Sequence, residues 1–185
     1  MKSRLLKLFV LLLTFSASTH GLRATEDDVD AKIEAATLVR AGQAAPDFTC
    51  QTTDGKTITL SAQKEKVVVL YFFSTSNAAS LTEMRYFEKE IFQKIRDRDD
   101  FLLLAIGRGH TREELVKISG ENKFTFAFAA DPKQEIYQRY FSRYVPRTLI
   151  IRKDGTIAYL ASGYVYETFL RMQEALAREL PTSRR

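Results

Sequence analysis

The stretch VVVLYFFSTSNAASLTEMRYFEKEIFQKI, residues 67–95, contains the pattern that decides the fold. Its first seven residues are all apolar and rich in β-branched and aromatic types, which predicts a strand buried on both faces of a sheet. Apolar residues then recur at helical spacing from Met84 to Ile95, so a long amphipathic helix is predicted to begin between Asn77 and Ser80. A strand that leads directly into a helix leaves free backbone N–H groups at an exposed turn. Such a turn carries the chemistry in many α/β enzymes, but this one contains no cysteine.

The rest of the chain alternates between strand and helix patterns. Asp-Gly steps at residues 54–55 and 154–155 each lie between β-type runs and predict two hairpins. Alternating strands and helices imply a largely parallel sheet with helices on both faces, to which the late hairpin adds antiparallel strands. The predicted elements are a hairpin of Asp47–Cys50 and Thr57–Leu60, strands Phe101–Ile106 and Phe124–Ala129, helices beginning at Thr111 and at Asp131-Pro132, a hairpin of Thr148–Ile151 and Thr156–Leu160, and a final helix Tyr166–Leu180.

The N-terminal residues 1–24 resemble a secretory signal peptide. Three basic residues precede the apolar run Leu8–Phe15, and small residues follow it. The alternative is an uncleaved membrane anchor, although the run is shorter than the roughly 20 residues that span a bilayer. Residues 25–42 then read as an arm with a short helix from Thr25 to Val39 and a linker, and residues 43–185 as one domain. We therefore expect an exported protein, periplasmic or extracellular.

The charge of the chain gives no argument for a nucleic-acid partner. The formal net charge is +5, but without residues 1–24 the chain keeps 24 basic and 23 acidic residues, a net of +1. No cluster of His, Cys and acidic residues has the spacing of metal ligands, so we expect no metal and no cofactor.

Several short motifs in this order resemble the thioredoxin-like superfamily, specifically its exported thiol–disulfide oxidoreductases and the related alkyl hydroperoxide reductase/thiol-specific antioxidant proteins. The resemblance covers residues 41–180 and implies a thioredoxin-like fold. The matching motifs are Ala45-Pro46-Asp47-Phe48, Asp54-Gly55-Lys56, Leu70-Tyr71-Phe72-Phe73, Glu83-Met84, Val145-Pro146-Arg147-Thr148 and Lys153-Asp154-Gly155-Thr156-Ile157.

The resemblance also locates the site and shows what it lacks. Aligned on Phe73 and Glu83-Met84, the Cys-x-x-Cys motif of the family is replaced by Asn77-Ala78-Ala79-Ser80. The first thiol of that motif attacks and the second resolves the mixed disulfide, so this degenerate turn excludes a dithiol cycle and is predicted to be redox-inactive. The family pattern further implies a cis-proline at Pro146 facing the turn, beside which an extended peptide docks.

The surface expected to bind a partner therefore consists of the degenerate turn with Ser76, Val145, Pro146 and Arg147. Arg147 is either a cation that pairs with an anion or peptide carboxylate, or an ordinary surface arginine. Ser76, Asn77 or Ser80 is expected to cap the helix, and Ser80-Leu81-Thr82-Glu83 also matches a capping box. The predicted strand, residues 67–73, contains no acid that could shuttle a proton.

Two other residues offer chemistry of their own. Cys50, the single cysteine, is expected to be a half-buried apolar residue at the margin of the sheet, with a reactive thiol as the alternative. Ser76 or Ser80 would need a neighbouring base to act as a nucleophile, and His110 is the one candidate that follows the signal peptide. No catalytic residue is assigned.

Three functions remain open at this point. The first is an exported thioredoxin-fold protein without redox chemistry, which binds a protein or an extended peptide as a scaffold. The second is a thiol-dependent oxidoreductase or peroxiredoxin-like antioxidant that uses Cys50 with a partner thiol. The third is a non-redox enzyme that uses the backbone N–H groups of the turn as an anion site.

Overall fold

The computed structural model describes residues 20–181. The predicted signal peptide lies outside these residues, except for residues 20–24, which form the first part of a helix. Among residues 20–181, every helix is too short or too polar to cross a bilayer.

A five-stranded mixed sheet forms the centre of the domain, in the order β5-β4-β3-β6-β7. Strand β3 is parallel to β4, and β4 is parallel to β5, whereas β6 runs antiparallel to both β3 and β7. A separate antiparallel hairpin, β1-β2, precedes the sheet. The strands are β1 Thr49–Gln51, β2 Thr57–Thr59, β3 Val67–Phe73, β4 Phe101–Arg108, β5 Ala127–Asp131, β6 Arg147–Ile151 and β7 Ile157–Ser162.

Helices and loops cover both faces of the sheet. The first face packs against α2, α4 and α5, and the second against the hairpin and a short 3₁₀-helix, Tyr137–Arg139. This confirms the predicted α/β fold, a mixed sheet flanked by helices with an N-terminal hairpin. The α-helices are α1 His20–Ala35, α2 Ala78–Tyr86, α3 Gln93–Ile95, α4 Arg112–Asn122 and α5 Tyr166–Glu179, and a π-helix, Phe87–Phe92, joins α2 to α3.

The predicted burial of β3 is confirmed, because all seven of its residues are buried. Side chains alternate between the two faces of a strand, and here both faces are covered. Val67, Val69, Tyr71 and Phe73 belong to the core of the first face, while the residues between them belong to the core of the second. The strand thus holds the turn that follows it at a fixed position between the two cores.

The helix predicted from Asp131-Pro132 is wrong. The Asp131 carboxylate is buried and accepts hydrogen bonds from the backbone N–H groups of Ile136 (3.2 Å) and Tyr137 (2.8 Å). Gln134, which lies between Asp131 and Ile136, has a left-handed backbone with φ 61°. The carboxylate therefore organises a turn instead of capping a helix, and only the short 3₁₀-helix follows.

The N-terminal arm, residues 25–42, is packed on the domain. Its helix α1 begins at His20 and ends at Ala35, earlier at both ends than predicted. After it, Ala36 and Val39 are buried, and Gly42 N–H donates to Ile157 O at 2.8 Å. Packing against the sheet thus begins at Ala36, before the predicted domain start at residue 43.

Candidate functional site

The turn between β3 and α2 is closed by Asn77. Its side-chain Oδ1 accepts a hydrogen bond from Ala79 N–H at 2.9 Å, so Asn77 is the N-cap of α2. Ser76, which is exposed, pairs its hydroxyl with that of Ser74 at 2.9 Å. The predicted capping box from Ser80 to Glu83 is wrong, because both residues lie inside the helix with buried side chains.

Asn77 also joins the turn to the loop that precedes β6, residues 142–146, which we call the proline loop. Its Nδ2 donates to Val145 O at 2.7 Å. The Val145-Pro146 peptide bond is cis, as the resemblance implied, and Pro146 is buried. The degenerate turn, Asn77-Ala78-Ala79-Ser80, therefore faces the proline loop as predicted, and both polar atoms of the Asn77 amide are already bonded.

A buried polar cluster lies directly beneath the turn. Ser80 is 0% exposed and Glu83 is 3% exposed. The Tyr71 hydroxyl donates to Ser80 O at 2.9 Å, and the Thr148 hydroxyl donates to Glu83 Oε1 at 3.3 Å. Ser80 Oγ and Glu83 Oε2 have no hydrogen-bond partner among the described residues. Two unsatisfied polar atoms thus share the apolar core of the first face.

Burial raises the pKa of the Glu83 carboxyl to about 8, although the hydrogen bond from Thr148 acts in the opposite direction. Glu83 is therefore a neutral carboxylic acid at pH 7. The sequence reasoning missed it because it searched only β3 for a buried acid. The helical spacing of Ser80, Glu83 and Phe87 was the signal that could have found it, since these positions share one face of α2.

His110 supports the turn from the side opposite the proline loop. Its Nε2 accepts from Thr75 N–H at 3.1 Å, so the ring proton is on Nδ1, which lies 3.3 Å from Glu114 Oε2. The ring also stacks on Phe73 at a centroid distance of 5.8 Å. His110 is not bonded to Ser76 or Ser80, so the structure does not pair either candidate serine nucleophile with a base.

Cys50 lies in the hairpin, on the far side of the sheet from Pro146. It is 8% exposed, and its strand β1 leads to Thr52, which bridges to Ala129 on the edge strand β5. Burial, with a smaller contribution from the charge of Asp131, raises the pKa of the Cys50 thiol to about 11. The thiol is therefore protonated at neutral pH, and Cys50 packs in the core of the second face, whereas α2 packs on the first.

Arg147 is not on the exposed surface where the sequence analysis placed it. It is 1% exposed, and its guanidinium lies 4.6 Å from the centre of the Phe141 ring in the core of the second face. Side chains alternate along β6, so Arg147 points away from the face on which its neighbour Thr148 meets Glu83.

Three tyrosines that the sequence analysis did not single out lie next to the proline loop. Tyr86, Tyr164 and Tyr166 form a cluster, which we call the tyrosine patch, with ring centroids 5.6 and 5.8 Å from Tyr86. Gly163 N–H donates to Pro146 O at 2.9 Å, so the patch continues from the loop. Tyr166 is 51% exposed, and the adjacent Val165 is also exposed.

In the part of the chain that the structure describes, no group of three or more His, Cys, Asp or Glu side chains is arranged to hold a metal ion. The chemistry available at the turn is therefore that of an amide, a buried hydroxyl, a buried neutral acid and tyrosine rings. None of these groups can form a disulfide.

The chain is similar to a known protein family and to several known proteins. The sequence model of the AhpC/TSA family matches residues 41–160. The thiol-disulfide oxidoreductase ResA of Geobacillus thermodenitrificans is 25% identical over 127 residues, which are 69% of this chain and 72% of ResA.

Two solved structures show the same fold. A candidate protein disulfide isomerase from Bacteroides thetaiotaomicron is 32% identical with a TM-score of 0.76, over 80% of this chain and 94% of that one. A thiol:disulfide interchange protein of the thioredoxin family from Chlorobium tepidum is 16% identical with a TM-score of 0.64, over 77% and 98% of the two chains. The chain, a thioredoxin-like protein with a single cysteine, therefore belongs to the AhpC/TSA family.

Proposed function

We propose that this protein binds an extended segment of another exported protein and has no redox chemistry of its own. The observation that carries the proposal is the state of Asn77 at the position of the attacking thiol. Its Oδ1 caps α2 and its Nδ2 holds Val145 O, so the group that replaces sulfur is a fixed structural amide. An amide cannot exchange disulfides or reduce a peroxide, which requires a thiolate.

The alternative, a thiol-dependent oxidoreductase that uses Cys50 with a partner thiol, receives less support. Thiol–disulfide exchange proceeds through an accessible thiolate. Cys50 is buried, its pKa is raised to about 11, and it lies away from the turn. A peroxidase role for Cys50 meets the same obstacle, because peroxide reacts with the thiolate as well.

The surface around the turn supports binding. Ser76 is exposed, Asn77 and Val145 are half-buried, and the bond from Gly163 to Pro146 joins the proline loop to the tyrosine patch, in which Tyr166 is exposed. Tyrosines contribute large amphipathic contact areas at low entropic cost, and they are enriched at protein interfaces. A partner segment is therefore expected to contact the patch with apolar or aromatic side chains while its backbone runs along the loop.

We further propose that binding takes place outside the cytoplasm. The charged front and apolar run in residues 1–24 support export, and a single cysteine without a disulfide partner is compatible with it. The partner would then be another exported protein.

The first experiment tests the chemistry. The full chain and its Cys50→Ser variant are assayed for thiol-coupled disulfide reduction and for peroxide reduction, with a Cys-x-x-Cys thioredoxin as the positive reference. Neither protein is expected to show turnover above the uncatalysed rate. Activity in the full chain that disappears in Cys50→Ser would establish the alternative function.

The second experiment tests binding. A library of extended peptides from exported proteins is screened against the full chain, and dissociation constants are measured for the peptides that bind. Tyr166→Ala is expected to weaken binding by about tenfold, because removal of one buried aromatic contact costs about 1–2 kcal/mol. Val116→Ala, an exposed apolar position on α4, is the matched control and should leave the affinity unchanged. Equal affinities in both variants would show that the patch is not the binding surface.

A further inference from the structure

The guanidinium of Arg147 connects the N-terminal arm to the loop that carries Pro146. Its Nη1 donates to Thr37 Oγ1 at 3.2 Å, and its Nη2 donates to Ile33 O at 3.4 Å, both on the arm. Nη2 also donates to Arg143 O at 3.3 Å, at the start of the loop. This loop, residues 142–146, is the proline loop described above, and we call it the binding loop from here on. One buried side chain thus contacts both segments.

Among the described residues, no carboxylate pairs with the Arg147 guanidinium. Its three acceptors are two carbonyl oxygens and a hydroxyl, its ring contact is Phe141, and its Nε has no partner. Ile33 O belongs to the last turn of α1, where the helix dipole places partial negative charge. The docked arm therefore supplies two of the three acceptors of this buried guanidinium, one of them in the last turn of α1.

The backbone of the arm forms a second connection to the same region. Leu38 N–H donates to Tyr140 O at 2.9 Å, and Ser142 N–H donates to Ala36 O at 2.9 Å. Thr37 and Phe141 form an antiparallel bridge between these two bonds. The arm thus lies along the segment that leads into the binding loop, like a short added strand.

The remainder of the binding loop has few contacts of its own. Tyr144 has a left-handed backbone with φ 70°, and its carbonyl accepts from the Tyr137 hydroxyl at 2.5 Å. Val145 O accepts from Asn77. The loop is therefore held from four sides, by the core through Tyr137, by the degenerate turn through Asn77, by Gly163 through its bond to Pro146 O and by the arm through Arg147.

We propose that the docked arm sets the conformation of the binding loop, and that Arg147 is the positioning residue that transmits arm docking to Val145 and Pro146. The inference deepens the proposed function, since it rests on the loop being the surface that binds a partner. With the arm docked, the loop is ordered and competent to bind. With the arm released, Arg147 becomes solvated, its bonds to Ile33 and Thr37 are lost, and the loop gains freedom that a partner must remove on binding.

Hydrogen exchange on the full chain tests this coupling without any ligand. Arg147→Met keeps the length of the apolar stem and removes all three bonds. We expect the amides of Leu38, Ser142 and Gly163, which donate to Tyr140 O, Ala36 O and Pro146 O, to exchange about tenfold faster, because local opening of the arm and loop becomes more frequent. Arg178→Met is the matched control, since Arg178 is an exposed arginine near the end of α5 and outside the binding loop, and it should leave these rates unchanged.

Two further variants keep the test informative if Arg147→Met folds poorly. Thr37→Val removes one acceptor with little change of shape and should accelerate the same amides by about threefold. Arg147→Lys keeps the charge but cannot bridge arm and loop with a planar fork, so an intermediate acceleration is expected. Acceleration at Leu38 and Ser142 alone, with the Gly163 amide that donates to Pro146 O unchanged in every variant, would overturn the coupling.

Binding provides the second readout. A peptide identified in the library screen should bind Arg147→Met several-fold more weakly than Arg178→Met. If no peptide binds the wild-type chain, the proposed function fails while the exchange data still decide the coupling. If exchange is coupled but affinities are equal, the arm does not control the site and the inference is wrong.

Discussion

Replacing the buried Glu83 with glutamine should change how the stability of the protein depends on pH. In the folded chain burial raises the pKa of Glu83 from 4.5 to about 8. Between these two values the folded protein retains a proton that the unfolded chain has released. The free energy of unfolding must therefore fall as the pH rises through this window, by about 1.4 kcal/mol per pH unit and about 5 kcal/mol in all.

Outside the window the contribution is constant, because both states are protonated below it and both are ionised above it. Glutamine has nearly the same shape and cannot ionise, so Glu83→Gln removes the dependence. Urea unfolding of the two proteins from about pH 5 to about pH 9 measures the effect. The stability of the variant relative to the wild type should rise from near zero to about 5 kcal/mol across that range.

The comparison needs a control for the loss of a carboxylate as such. Glu135→Gln changes an exposed acid and should alter stability by less than about 0.5 kcal/mol at every pH. A Glu83→Gln difference that stays constant with pH would refute the argument, since it would show that Glu83 has an ordinary pKa in the folded chain.

Three further predictions concern the turn and the cysteine. The double variant Asn77→Cys, Ser80→Cys should show disulfide reductase activity in an assay of thiol-coupled turnover. The reason is that the helix N-terminus favours a thiolate at position 77. An inactive double variant would mean that the site lacks more than the two sulfur atoms. Asn77→Ala should lower the free energy of unfolding by about 2 kcal/mol in urea, since it removes both the cap and the bond to Val145 O, whereas Thr82→Ala on the same helix should cost less than half as much. Cys50 should resist a thiol reagent at pH 8 in the folded protein and react once urea unfolds the chain. The reason is that its thiol is buried and has a pKa of about 11. Rapid labelling of the folded chain would contradict the buried position of Cys50.

The features that the sequence predicts correctly depend on interactions within a few residues. The apolar run of β3 needs only its own composition to be recognised as a doubly covered strand. The two Asp-Gly turns are similarly local, since Gly55 and Gly155 adopt φ 89° and 87°, a conformation that favours glycine. The orientation of the turn towards Pro146 came from the family resemblance, because no local pattern connects residues so distant in sequence.

The features that sequence reasoning missed depend on partners far along the chain. Glu83 looks like a capping acid near the start of a helix, and only its contact with Thr148 shows that it is buried. Asp131 looks like a helix cap, but its carboxylate bonds to residues further on and makes a turn. Arg147 looks like a surface cation beside a proline, and its burial follows from an arm that precedes it by about a hundred residues.

The replacement of the attacking thiol by the Asn77 amide also explains how the turn is held in place. A thiol at the start of α2 becomes reactive because unbonded backbone N–H groups stabilise its thiolate. Asn77 uses one of those groups, Ala79 N–H, to cap the helix, and its second polar atom holds the binding loop. A reactive thiol and a capped helix are alternative uses of the same N–H group. The residue that replaces the attacking thiol is therefore also the one that joins the turn to the binding loop.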